Sequence, residues 1–207
     1  MNYIDKLKSK LSSVKTNFNS MTEPFAEVKQ TYTENIFKFD LSSEIDANEV
    51  VSIIYKFREN FPYSYKGKTN VFAWHSDFNT HEKTSDFNPL IKIMQDKLRL
   101  SGPTHNWPLY EITYPIVESW AGIYNKTEYT ELHSHGDVHY VAVYYAKAEE
   151  NCSPIVFLNS KKDLEIVPTT NTLLICSGKV WHYVPKSKVD DERIMFAANF
   201  LMSCNKK

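Results

Sequence analysis

At 207 residues, 42% hydrophobic and 24% charged, the chain is long enough to bury a substantial core and suggests one domain with an appended N-terminal region. A formal net charge of -1 argues against a global basic field for nucleic acid, and the three cysteines (Cys152, Cys176, Cys204) lack a CxxC spacing, which predicts a reducing, cytoplasmic setting. With five glycines and neither GxGxxG nor GxxxxGKS/T, phosphate-loop nucleotide folds drop out, and no run approaches the roughly 18 apolar residues a membrane helix needs.

Residues 1 to about 30 are polar and lysine-rich, with Ile4, Leu7, Leu11 and Val14 at helical spacing. A peripheral helix or mobile arm is expected there, ahead of a main domain over residues 31–207. Alternation from Asn35 to Leu41 predicts a strand. Ser43, with Asp46 three residues on, precedes Val50, Val51, Ile53, Ile54 and Phe57, the pattern of an amphipathic helix capped at Ser43. Residues 61–82 are turn-rich and aromatic. Leu90, Ile91, Ile93, Met94 and Leu98 predict a second helix from Asn88 to Leu98.

Beyond the loop at residues 101–106 the pattern becomes short strands. They are expected at 116–124, 129–135, 139–147, 155–158, 164–167, 172–176, 181–185 and 193–202. Helices first and strands after predict an α+β, mainly β, chain: a sandwich or jelly roll with helices bracing one sheet from outside.

One segment carries chemistry. His133-Ser134-His135-Gly136-Asp137-Val138-His139 sets three imidazoles and a carboxylate at odd positions, and extended backbone points alternate side chains to one face. A distal histidine, His182, follows the apolar run at Leu173–Ile175 and a glycine turn, and Arg193 opens the strand after it. Two near ligands, a far one and an arginine beyond are what a non-haem iron oxygenase using a 2-oxo acid requires. The segment nearly spells the HxHxDH of two-metal hydrolases, but Val138 breaks that spacing and the strand Val141–Tyr145 stands where a helix would be needed. Single histidines such as His75, His81 and His105 read as ordinary core or surface residues. A cupin-like binding module or viral accessory protein without oxidation chemistry is the alternative reading.

Trp74-His75-Ser76, Ser119-Trp120, the HxH cluster followed by Tyr144-Tyr145, Trp181-His182, and Arg193-Ile194 running to Asn199-Phe200 resemble the 2-oxoglutarate/Fe(II)-dependent oxygenases. Within that superfamily the pattern is similar to prolyl-hydroxylase-like proteins of marine bacteria and phages, over residues 35–203. The resemblance implies a double-stranded β-helix (jelly-roll) core, Fe(II), 2-oxoglutarate and O2, and hydroxylation or a related oxidation. Arg193 would clamp the far carboxylate of 2-oxoglutarate with a planar fork. Tyr124 and Tyr145 would offer hydroxyls, at most one of Tyr144 and Tyr145 facing inward.

Two registers remain for the near ligands. The superfamily's HxD falls literally on His135-Gly136-Asp137, whereas counting from Tyr124 and Tyr144 places the pair on His133 and His135. His135 and His182 belong to both; a carboxylate that offsets cationic charge favours His135, Asp137 and His182. The substrate, a protein side chain or a small metabolite, is not marked by any residue.

Overall fold

The computed structural model of the chain describes residues 36–101, 110–160 and 162–206. The expected N-terminal arm lies outside the described residues. In chain order the strands are β1 (Ile36–Asp40), β2 (Trp74–His75), β3 (Tyr110–Thr113), β4 (Ile116–Tyr124), β5 (Thr130–His133), β6 (Tyr140–Lys147), β7 (Ile155–Phe157), β8 (Leu164–Ile166), β9 (Thr172–Ser177), β10 (His182–Val184), β11 (Arg193–Phe200) and β12 (Ser203–Lys206). Three helices, α1 (Ala47–Asn60), α2 (Thr80–Lys83) and α3 (Asn88–Ser101), precede most of them.

From β4 to β11 the eight strands pair first with last: β4 with β11, β5 with β10, β6 with β9, β7 with β8, all antiparallel. That nesting folds a long hairpin into two facing sheets, the jelly-roll arrangement. The larger sheet runs β1-β9-β6-β11-β4-β2 and the smaller β5-β10-β7-β8, while β12 and β3 form a separate ribbon.

The interior position of β11 explains the unbroken apolar run from Ile194 to Ala198. All eight residues are buried. Ile194, Phe196, Ala198 and Phe200 pack with Ile54, Phe57, Leu90 and Met94 of the two long helices, whereas Met195 and Ala197 pack with Val184 and Phe157 between the sheets. The helices therefore brace the outer face of the larger sheet, as expected. No helix among the described residues is long and apolar enough to cross a membrane.

Several boundaries differ from expectation. The α1 cap is Asp46, whose carboxylate accepts from the Asn48 backbone N–H at 2.9 Å, and Ser43 stands in the turn before it. Helix α3 continues to Ser101 rather than ending at Leu98. The strand expected to reach Met202 ends at Phe200, just past a register shift against β4 between Asn199 and Phe200, and the chain then leaves for the β12 ribbon.

Candidate metal centre

Strand β5 ends at His133 and β10 begins at His182, and these two residues are register partners across the smaller sheet. His135 lies just beyond β5, where its backbone N–H donates to the Gly178 carbonyl at 2.8 Å. One ligand atom from each of His133, His135 and His182 lies within 4.8 Å of the others. Ring centroids are 4.3 Å apart for His133 and His182, 5.0 Å for His133 and His135, and 5.3 Å for His135 and His182.

Hydrogen bonds fix which nitrogen is free. His133 Nδ1 lies 2.9 Å from the Glu131 carbonyl, and His182 Nδ1 lies 3.0 Å from that of Val180. A carbonyl only accepts, so Nδ1 carries the proton in both rings and Nε2 keeps its lone pair for a metal.

Gly178 holds the two loops of the site together. A Cβ there would lie 2.3 Å from the Val138 carbonyl oxygen and 2.6 Å from Val138 Cγ2. Backbone cannot swing aside as a side-chain end does. Gly178→Ala is expected to destabilise the protein by about 1–3 kcal/mol, measured by urea denaturation, and to weaken metal binding as His135 is displaced.

Burial lowers the pKa of all three imidazoles from 6.5; repulsion from His133 adds to this at His135, which falls to about 3, and repulsion from both other rings adds to it at His182. His75, fully buried with Nε2 3.0 Å from Thr69 Oγ1, shifts the same way through burial. Neutral rings are ready to bind a metal without losing a proton. Below pH 6.5 the unfolded chain binds protons that the folded chain refuses, so stability falls with pH toward the folded values. In chelator, the melting temperature is expected to drop between pH 7 and pH 5; a flat profile would contradict neutral, buried rings.

The cavity between the sheets runs from the histidines to Arg193, past Trp120, Tyr124, Thr130 and Tyr145. Arg193 is 5% exposed, and its guanidinium carbon lies 4.3 Å from the Tyr124 ring centroid and 5.9 Å from that of Tyr145. One terminal nitrogen donates to the Ser153 carbonyl at 3.0 Å, while Nε has no partner. Among the described residues no carboxylate pairs with it.

Of the residues singled out from sequence, His133, His135, His182, Arg193, Tyr124 and Tyr145 line this one cavity. Tyr144 turns to the helices, donating to Asn171 Oδ1 at 2.7 Å. Asp137 is exposed, in the turn at Gly136, and lies outside the three-histidine group. His139 is exposed and accepts from the Met202 N–H at 3.2 Å. Sequence reasoning missed Thr130, 2.7 Å from the Tyr124 hydroxyl, and left Trp120 without a role, although its ring stacks on His135 at 5.8 Å and 18°. Period-two counting back from Tyr124 reaches Trp120, but Thr130 has the opposite parity to His133, and both contacts cross between strands, which counting within one strand does not reveal.

No protein-family model matches the chain, and no curated protein matches it. Solved structures do. A prolyl-4-hydroxylase from Pseudomonas putida aligns with a TM-score of 0.59 at 15% identity, covering 81% of this chain and 92% of that one. A prolyl hydroxylase from Trichoplax adhaerens, in complex with a hypoxia inducible factor oxygen degradation domain peptide fragment, aligns at 0.63 and 13% identity over 97% and 93%. A non-heme alpha ketoglutarate dependent carbocyclase from nogalamycin biosynthesis aligns at 0.65 and 9% identity over 86% and 84%. First-to-last strand pairing and these matches agree: the chain has the double-stranded β-helix fold of the 2-oxoglutarate/Fe(II)-dependent oxygenases.

Proposed function

We propose that the protein is an Fe(II)- and 2-oxoglutarate-dependent dioxygenase of the hydroxylase type. The observation that carries this reading is the Arg193 guanidinium, buried with no carboxylate beside it among the described residues and with its Nε unpartnered, in the same cavity as three converging imidazoles. An isolated buried cation is costly, and an anionic ligand that reaches it removes the cost. A cupin-like binding module has no use for such a group.

The residues fit both guests. His133, His135 and His182 would hold the metal, with Asp137 outside the set. Three neutral imidazoles leave the divalent charge uncompensated, which favours a dianionic acid rather than opposing it. Arg193 would receive the far carboxylate of 2-oxoglutarate through its unpaired Nε edge. Tyr124, anchored by Thr130, and Tyr145 wall the slot on either side and exclude water from the ion pair. Iron, when bound, supplies O2-dependent oxidation coupled to loss of CO2 from the 2-oxo acid. The substrate enters at the histidine end; likeness to prolyl hydroxylases favours a protein side chain over a small metabolite.

Anaerobic addition of Fe(II) and then 2-oxoglutarate tests this directly. A weak visible charge-transfer band is expected, together with succinate formation on admitting O2 and a substrate. Metal binding without the band would instead support the binding module.

A further inference from the structure

Asn199 has no part in that reading, yet its surroundings assign it one. Counting along β11, Arg193, Met195, Ala197 and Asn199 share the face that looks between the sheets, so Asn199 stands at the opposite end of that face from Arg193. It is 3% exposed, and its Nδ2 donates to Oε2 of Glu118, its register partner on β4, at 2.6 Å. An ionised carboxylate only accepts, so this bond fixes the amide's orientation and turns Oδ1 away from Glu118. Oδ1 is buried with no hydrogen-bond partner.

A complementary vacancy exists next to it. His133 and His182 each give their Nδ1–H to a backbone carbonyl, whereas the only group placed to hydrogen-bond the His135 ring among the described residues is the Asn199 side chain. That ring stacks on Trp120, two residues from Glu118 on the same face of β4. The Asn199 side chain lies close enough to His135 to act on its ring.

We propose that Asn199 is the positioning residue for His135, its Oδ1 accepting the ring N–H that faces away from the metal, with Glu118 holding the amide in that orientation. The inference rests on His135 being a ligand. It places a carboxylate one residue removed from an all-imidazole site, where it strengthens a ligand without occupying a coordination position.

Co(II) affinity of the full chain, measured by titration, tests it without turnover. Asn199→Leu is expected to weaken binding about 10- to 100-fold. Glu118→Gln should cost less, because glutamine can donate or accept and so frees the amide to flip. The double variant should bind no worse than Asn199→Leu alone, since Glu118 acts only through Asn199. Melting temperatures in chelator report on folding; should Asn199→Leu fail to fold, the Glu118→Gln affinity decides. Unchanged affinity in Asn199→Leu, or additive losses in the double variant, would overturn the inference while His135→Ala still weakens binding. If His135→Ala binds Co(II) as the wild type does, the ligand reading itself falls.

Discussion

His182→Ala is expected to lower Fe(II) or Co(II) affinity by at least two orders of magnitude and to erase the charge-transfer band with 2-oxoglutarate. Only three ligand atoms converge among the described residues, all within 4.8 Å of one another, so losing one leaves a pair that cannot define a facial site. His182 is also the deepest of the three, 5% exposed and register-paired with His133, so no solvent-side donor replaces it without moving the sheet. Circular dichroism should show the fold retained. Asp137→Ala separates the two ligand registers: unchanged metal affinity is expected from an exposed turn residue, and a loss as large as that of His133→Ala would make the carboxylate a ligand. Tight binding by His182→Ala would end the metal-centre reading.

Arg193→Met should leave metal affinity intact and raise the KM for 2-oxoglutarate by about 30-fold or more, the lower end of what truncating a buried, hydrogen-bonded charge pair costs. Arg193→Lys should recover only part of the loss, because an ammonium is a point charge that cannot present two parallel donors to a carboxylate. A second readout separates function from structure. With Nε unpaired and no carboxylate beside it, the guanidinium burdens the ligand-free fold, so Arg193→Met is expected to raise the melting temperature in chelator. Loss of 2-oxoglutarate binding together with a lower melting temperature would instead assign Arg193 a structural role.

Much of this architecture was legible because it is local. Alternation marked the strands, 3.6-residue spacing marked α1 and α3, and the order of histidines and arginine along the chain marked a candidate site. The helix cap was misplaced by three residues because Ser43 and Asp46 are both competent caps, and only the turn geometry selects the one whose carboxylate reaches the Asn48 N–H. Strand β11 could not declare its faces, since Ile194, Phe196, Ala198 and Phe200 are as apolar as Met195 and Ala197; the helices claim one face and the opposing sheet the other. Tyr144 and Tyr145 are parted by the same pleat.

The candidate near ligands show where sequence periodicity stops. Odd spacing puts His133, His135 and Asp137 on one face only while the backbone stays extended, but β5 ends at His133 and Gly136 adopts a φ of 62°. The turn carries Asp137 into solvent and sets His135 against Trp120. By itself the sequence determined the fold class and the kinds and order of the candidate ligands, all encoded in side-chain chemistry and short-range period. Which of those side chains meet was decided by the tertiary structure alone, because β5 pairing with β10 and β4 pairing with β11 join residues about 50 or more positions apart, through contacts that no local pattern records.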